Sequence, residues 1–318
     1  MAVPNDENRS LAPNIFIGRS DQLHVAREAI SGRACISFVG IPKAGLTFLL
    51  RRLMAEDFRA ECQQSGARLA FVYVDCSQYP DPLALMRYVL SQVVPDRPAP
   101  NLPNWRLLCG RFITTVKSLL PMRLVLLFDD FELMGSNEVF ADFFDSLRGL
   151  AIEANMTLIT TTHTELHRCC HMRLSASPFP NIFKVQYLGP LSQSEALDFI
   201  RAAADTAAAI EPRAEEILNL GGRFPHYLGL ACAHYQQALA QGDTLDVQSM
   251  AARLRDESRL EFDRIWQGLD DDEKHVLASL ARGARVVDVD LSLVRKGYVS
   301  EGGVFSLAFR DYVSQTAP

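Results

Sequence analysis

Gly40-Ile-Pro-Lys-Ala-Gly45-Leu46-Thr47 is the stretch that decides how this sequence is interpreted. It keeps the spacing of the phosphate-binding P-loop, G-x-x-x-x-G-K-[ST], except that Leu46 stands where the pattern has lysine. The apolar segment 35–39 before it predicts a buried strand, and the segment 47–54 after it predicts the start of a helix. The sequence therefore predicts a phosphate-binding turn that lacks its usual cation.

The loop offers an anion two attractive features that do not depend on lysine. Two glycines and a proline suit a tight turn whose backbone N–H groups point toward an anion, and the following helix N-terminus adds partial positive charge. Lys43 has two interpretations, a loop lysine in solvent or a lysine whose flexible stem reaches a phosphate. The cofactor-binding residues predicted here for ATP or ADP are Gly40, Pro42, Lys43, Ala44, Gly45, Leu46, Thr47 and Phe48.

A second motif, Leu124-Val-Leu-Leu-Phe-Asp129-Asp130-Phe-Glu132, ends an apolar run in two acids. Open α/β sheets bind ligands at the carboxyl ends of their strands, where these acids are predicted to lie. We expect Asp129 to hold Mg²⁺ together with the Thr47 hydroxyl, and Asp130 to orient the attacking water as the catalytic residue. Taken alone, the motif also fits a buried strand that ends in a solvated acidic turn.

Short apolar runs alternate with helical patterns between residues 34 and 188, which predicts an α/β fold with a parallel sheet and helices on both faces. The predicted strands are 34–39, 69–75, 123–128, 157–162 and 182–187. The predicted helices between them are 47–62, 81–94, 104–120 and 138–153.

The pattern changes to helices alone after residue 188. Ser192-Gln-Ser-Glu195 predicts a capping box and a helix start, and further helices are predicted near 211–220, 225–240 and 245–266. The C-terminal pattern predicts helices at 270–282 and 288–297, followed by two strands around a Gly-Gly turn, which is the outline of a winged helix. The predicted domains are a flexible tail (1–13), a P-loop domain (14–188), an all-α lid (189–267) and a winged helix (268–318).

Composition argues against some partners and compartments. The net charge of −6 gives no general attraction to nucleic acid or to an anionic membrane. No apolar run approaches the roughly 18 residues that span a bilayer, and the first residues do not form a signal peptide. The seven cysteines are odd in number and scattered. These features predict a cytoplasmic protein with reduced cysteines.

The cluster His167-Arg-Cys169-Cys170-His171 contains residue types that bind zinc. Adjacent side chains point in different directions, and no second ligand group with zinc-finger spacing follows. Buried cysteines without a metal are the favoured interpretation.

Five segments together resemble the STAND class of AAA-like P-loop ATPases. The resemblance covers roughly residues 15 to 313, and the order and spacing of the segments make it specific. The segments are Ile15-Phe-Ile-Gly18-Arg19, Phe128-Asp-Asp-Phe-Glu132, Leu188-Gly-Pro190-Leu-Ser-Gln-Ser-Glu-Ala196, Gly221-Gly-Arg-Phe-Pro225-His-Tyr-Leu228 and Phe305-Ser-Leu-Ala-Phe-Arg310-Asp-Tyr312.

The resemblance implies an ADP- or ATP-controlled signalling switch with a degenerate Walker A loop. It places Gly18 and Arg19 beside the base, and Thr162 where the class has a phosphate-sensing polar residue. It adds Pro190 and Pro225 to the cofactor-binding residues, and Arg310 at a position where some members have a histidine that touches the β-phosphate. It also implies that sensor or effector functions come from separate protein partners.

Loss of the lysine is expected to weaken nucleotide binding by about 10- to 100-fold, since a hydrogen bond to a charged group is worth about 1.5–3 kcal/mol. Hydrolysis is expected to suffer more, because charge on the transferred phosphoryl group must be neutralised. The sequence thus favours a switch with little or no ATPase turnover.

Two alternatives remain open. The first is a protein-interaction scaffold whose vestigial pocket is filled by Leu46. The second is a winged-helix DNA-binding ATPase of the AAA+ type. Residues 269–318 contain six basic and eight acidic side chains, a net charge of −2 that disfavours contact with a phosphate backbone.

Overall fold

The computed structural model describes residues 17–63, 66, 68–96, 105–153, 156–203, 210–242, 246–286, 289–300 and 303–317. The chain forms two compact units. The larger unit, here called the sheet unit, comprises residues 19–40 and 46–188. The second comprises residues 1–18, 41–45 and 189–318, here called the helical unit.

Five parallel strands form one sheet among the described residues of the sheet unit, in the order β2-β3-β4-β1-β5. Central β3 and β4 are buried along their whole length, because Val, Leu, Ile and Thr side chains fill both faces. The strands are β1 (Cys35–Val39), β2 (Leu69–Asp75), β3 (Arg123–Asp129), β4 (Met156–Thr162) and β5 (Phe183–Tyr187). The predicted α/β class with a parallel sheet is confirmed.

Helices occupy the connections between these strands, as the alternating pattern predicts, and five of them, in the segments 20–31, 46–53, 56–63, 82–93 and 141–152, pack against the sheet. They are α1 (Ser20–Ser31), α2 (Leu46–Leu53), α3 (Glu56–Gln63), α4 (Pro82–Val93), α5 (Trp105–Ser118), α6 (Glu132–Gly135), α7 (Ala141–Ile152), α8 (Leu166–Cys169) and α9 (Met172–Ser175).

An aromatic cluster lies beneath the end of β3. Phe131, which is fully buried, has its ring centroid 4.8 Å from that of Phe144 and 5.9 Å from that of Phe179. Phe128 adds an edge-to-face contact with Phe131 at 5.7 Å. This packing fixes the backbone on which Asp130 and Glu132 flank Phe131.

The helical unit is mostly α-helical. The predicted capping box is confirmed, since Ser192 N donates to Glu195 Oε2 (2.8 Å) and Glu195 N donates to Ser192 Oγ (3.2 Å). Its described elements are α10 (Gln193–Ala203), α11 (Ala214–Gly221), α12 (Pro225–Gln241), α13 (Val247–Glu257), α14 (Arg259–Gln267), α15 (Asp271–Ala281), α16 (Leu291–Lys296), β6 (Val299–Ser300), β7 (Gly303–Val304) and α17 (Leu307–Thr316).

Two predicted helices are each two helices in the structure. The predicted helix 47–62 is interrupted between Leu53 and Glu56, and the predicted helix 245–266 is interrupted at Ser258. Buried apolar residues recur with helical spacing on both sides of each break, so the break cannot be detected from hydrophobic periodicity alone. The boundary between lid and winged helix, and the winged helix itself, stay predictions.

Several sequence predictions fall outside the described residues. They concern the tail at 1–13, the residues Ile15 and Phe16, and Gly302, the first glycine of the predicted Gly-Gly turn.

Candidate nucleotide site

The loop after β1 has the backbone that the motif predicts. β1 ends at Val39, α2 begins at Leu46, and the turn between them has left-handed φ values at Lys43 (67°) and Gly45 (99°). A positive φ is costly for lysine, which has a Cβ, and such strain concentrates at functional sites. The turn is compact at its start, where Ala44 N donates to Ile41 O at 3.0 Å.

Two N–H groups of this turn are available to a ligand. In the described part of the chain, the backbone N–H groups of Lys43 and Gly45 have no hydrogen-bond acceptor. A Cβ placed on Gly45 would meet no atom within 4 Å, so the space beside this residue is open. Free N–H donors around an open space fit the phosphates of a nucleotide.

Leu46 does not take over the role of lysine. Its side chain is 6 % exposed and belongs to the buried face of α2. An aliphatic side chain donates no hydrogen bond. Phe48, two residues further on, is 58 % exposed and is therefore accessible to a ligand.

The middle of the loop is held within the helical unit. Tyr227 donates its hydroxyl to Pro42 O at 3.3 Å, and Lys43 Nζ lies 3.8 Å from Glu261 Oε1. His226 neighbours the same lysine, and burial, reinforced by the Lys43 charge, lowers the pKa of His226 to about 4. The Lys43 ammonium is thus placed beside a carboxylate of its own chain.

Asp129, the predicted magnesium ligand, is held from two sides in the sheet unit. The Tyr73 hydroxyl of β2 donates to Asp129 Oδ2 at 2.6 Å, and Thr161 Oγ1 of β4 donates to Asp129 Oδ1 at 2.8 Å. The carboxylate is 3 % exposed. Burial, together with the Asp129 charge, raises the pKa of Tyr73 far above its ordinary value, which keeps this hydroxyl a donor. Each carboxylate oxygen keeps acceptor capacity, so Mg²⁺ coordination with Thr47 is chemically possible.

The three threonines that end β4 have different roles. Thr161 Oγ1 also accepts a hydrogen bond from Asp130 N at 3.1 Å, and Thr161 O accepts one from Phe131 N at 2.9 Å. Thr162 O accepts one from Gly40 N at 3.1 Å. The buried hydroxyls of Thr160 and Thr162 have no hydrogen-bond partner among the described residues. The unpaired hydroxyl of Thr162 suits the phosphate-sensing role predicted for it, whereas Thr160 is packed inside the sheet.

Asp130 follows β3 with a left-handed backbone, φ 52°. Burial, then the charges of Asp129 and Glu132, raises the pKa of Asp130 above its ordinary value. Glu132 and His163 lie near it: His163 Nδ1 contacts Glu132 Oε1, and His163 N donates to the same oxygen at 3.3 Å. A carboxyl whose pKa is raised in a partly buried site suits proton or water chemistry.

The structure places the remaining predicted residues as follows. Gly18 lies against Glu195, since a Cβ at Gly18 would be 2.6 Å from the Glu195 carboxyl carbon. Pro190 packs on Gly297, and Pro225 is the first residue of α12. Arg310 is exposed, with its Nε 3.7 Å from Asp311 Oδ1. Arg19 is 6 % exposed and has a left-handed φ of 66°.

Sequence reasoning missed Tyr73 and His163, and it did not separate Thr161 from its neighbours. In the sequence, Tyr73 is an ordinary aromatic residue of a strand. Its contact with Asp129 depends on the adjacency of β2 and β3, which the local sequence does not reveal. His163 directly follows the three threonines that end β4, so its position as a polar residue at the carboxyl end of a strand was the signal that could have identified it. Within the described residues, the group of converging metal-ligating side chains is Asp130, Glu132 and His163, and all seven cysteines are free thiols.

A parallel sheet, a turn of this geometry between β1 and α2, and an acid pair at the end of β3, which β4 separates from β1, define a P-loop NTPase. The chain belongs to the STAND NTPases, because the family described as Novel STAND NTPase 2 matches residues 39–286. None of the curated protein sequences is significantly similar to this chain. Membership of this family implies a nucleotide and Mg²⁺ as ligands.

Solved structures with the same fold are distant in sequence. The Walker-type ATPase PABY2304 of Pyrococcus abyssi has a TM-score of 0.61 at 14% identity, over 97% of this chain and 99% of that one. The Aeropyrum pernix ORC2 protein in its ADP form has a TM-score of 0.56 at 13% identity, over 97% and 88% of the two chains. Drosophila ORC bound to DNA has a TM-score of 0.54 at 14% identity, over 86% and 70%. These likenesses concern the fold.

In the part of the chain that the structure describes, no helix has both the length and the apolar character needed to cross a bilayer.

Proposed function

We propose that this protein is a nucleotide-controlled switch of the STAND type that binds ADP or ATP with Mg²⁺, hydrolyses it little or not at all, and acts in the cytoplasm through protein partners. The observation that carries the proposal is the loop between β1 and α2. Its left-handed residues, and its two N–H groups that have no acceptor among the described residues, suit phosphates, while Leu46 supplies no positive charge. Binding thus keeps its backbone donors and loses its side-chain cation.

Weak turnover follows from the same arrangement. Mg²⁺, held by Thr47 and Asp129, would neutralise part of the phosphate charge. Asp130 would orient water, but the transferred phosphoryl group would lack the lysine that stabilises its developing charge. Lys43 does not supply that charge in this arrangement, because its ammonium lies beside Glu261.

A protein partner is proposed because a switch without turnover must be read by something else. A nucleotide changes which conformation of the protein is populated only if it binds the two conformations with different affinities. In the proposed switch, ADP favours one conformation and ATP favours the other. The net charge of −6 makes other proteins better partners than nucleic acid or an anionic membrane. Drosophila ORC, of similar fold, is bound to DNA, but the acidic balance of residues 269–318 disfavours that role here.

The burial of Leu46 supports a second candidate, a scaffold whose pocket no longer binds nucleotide. Calorimetry of the native chain with Mg-ADP and with Mg-ATP separates the two. Binding in the micromolar to millimolar range is expected for the switch, with stabilisation of about 1.4 kcal/mol at tenfold excess over Kd. Absence of binding at millimolar nucleotide would favour the scaffold.

Hydrolysis is tested on the same samples. Phosphate release near the background rate is expected, and Asp130→Asn is expected to leave it there. Turnover well above background that Asp130→Asn abolishes would contradict the proposed lack of hydrolysis.

A further inference from the structure

Three side chains converge at the carboxyl ends of two strands in the sheet unit. The nucleotide proposal assigns no joint role to them. Asp130 follows β3, Glu132 begins α6, and His163 follows β4. Because β3 and β4 are neighbouring parallel strands, their carboxyl ends bring these residues together. One ligand atom from each of the three lies within 4.8 Å of the other two.

The hydrogen bonds of Glu132 leave half of its carboxylate unused. Glu132 Oε1 contacts His163 Nδ1 and accepts from His163 N. Glu132 Oε2 is buried and has no hydrogen-bond partner among the described residues. An unpaired buried carboxylate oxygen is costly, and a bound cation would satisfy it.

We propose that Asp130, Glu132 and His163 form a binding site for a divalent first-row transition ion, with zinc as the best-fitting member. One imidazole nitrogen and two carboxylate oxygens form a mixed donor set that zinc accepts, with a water in the fourth position. Ligand atoms in a tetrahedral zinc site lie about 3.4 Å apart, so small side-chain rotations close the observed cluster around an ion. Mg²⁺ and Ca²⁺ prefer oxygen ligands alone and fit this set less well.

This site is separate from the magnesium site of the proposed function. Both carboxylate oxygens of Asp129 accept hydrogen bonds from Tyr73 and Thr161 and do not belong to the converging group. The zinc site needs neither the P-loop nor a nucleotide, so it can be tested without either. Asp130 belongs to both proposals, as a zinc ligand here and as the residue that would orient water there, but nucleotide binding through the loop and Asp129 does not depend on zinc.

The experiment is calorimetric titration of the EDTA-stripped chain with zinc ions alone, without nucleotide. One zinc per chain is expected, and His163→Ala and Glu132→Gln are each expected to weaken binding by about tenfold or more. Co²⁺ in place of zinc is expected to give the visible absorption of a low-symmetry site, and that absorption is expected to be lost in His163→Ala. Circular dichroism verifies that both variants are folded.

The chain offers a matched control in His234, whose Nε2 lies 2.8 Å from Glu257 Oε2. Within the described residues no third ligand joins this pair, so His234→Ala is expected to leave zinc binding unchanged. Native protein that binds no zinc, or His163→Ala and His234→Ala that bind it equally well, would overturn the assignment. Millimolar Mg²⁺ that displaces zinc from the native chain would also overturn it.

Discussion

The P-loop and the acid end of β3 belong to the same predicted nucleotide site, yet they depart from the common pattern to different degrees. The loop has exchanged its lysine for Leu46, and its other lysine lies beside Glu261. The acid end keeps Asp129 and surrounds it with donors from β2 and β4. The predicted anion-binding half and the predicted metal-binding half of such a site can therefore change independently, because different contacts hold each of them in place.

The largest effect is expected where the acid end is tied to β4. Thr161→Val removes one donor to Asp129 and one acceptor for Asp130 N, which leaves two buried polar groups unsatisfied. We expect the free energy of unfolding to fall by about 2–3 kcal/mol, measured by urea denaturation. Thr160→Val, one residue away and equally buried, removes a hydroxyl without a partner and is expected to be neutral or slightly stabilising. Equal losses in both variants would show that the hydrogen bonds to the acids do not matter.

The next prediction concerns the loop. Leu46→Lys is expected to tighten Mg-ADP binding by about 10- to 100-fold, because a charged donor returns to the phosphates. Leu46→Met is the matched control, because methionine has an unbranched side chain of similar length to lysine and carries no charge. Calorimetry on the three proteins measures the difference. Unchanged affinity in Leu46→Lys would mean that the loop does not bind phosphates. The loop would then not be the anion-binding half of a nucleotide site.

A pH effect is expected beside the loop lysine. The pKa of His226 is lowered to about 4 from its ordinary value of 6.5, so the folded state resists a protonation that the unfolded chain accepts. Its contribution to stability is therefore fully present above pH 6.5 and is lost as the pH falls toward 4, at roughly 1.4 kcal/mol per pH unit. Thermal melts of native protein and His226→Gln between pH 7 and pH 4 measure this slope. His24→Gln, on an exposed helix face, is the control for the loss of a histidine side chain elsewhere in the protein.

The smallest effect is expected from the lysine–glutamate pair itself. Lys43→Met removes a partly exposed ion pair and is expected to change stability by less than about 1 kcal/mol. If the Lys43 side chain stays with Glu261, Mg-ADP affinity is expected to be unchanged in this variant. A tenfold loss of affinity would show that Lys43 moves onto a phosphate and replaces the missing lysine.

Sequence patterns predicted the sheet well, because the buried strands β1 to β4 are continuous apolar or β-branched runs whose ends are marked by glycine, aspartate and threonine. The placement of Asp129, Asp130 and Thr47 beside the loop stays a prediction from the two motifs. They could not predict Tyr73 or His163, because those contacts depend on which strands are adjacent, which is a property of the tertiary fold. The helix breaks near residue 54 and at Ser258 were missed because the apolar period continues across both.

The last two residues of β4, Thr161 and Thr162, contact the backbone both where the loop begins and at the acid end of β3. Thr162 O holds the amide of Gly40, where the loop begins, and Thr161 holds the amides of Asp130 and Phe131 at the acid end. A displacement of these two residues by a fraction of an ångström would loosen the loop and the acids in the same movement. Hydrogen–deuterium exchange at these three amides is therefore expected to rise and fall together, which allows the coupling of the two regions to be measured without any nucleotide being consumed.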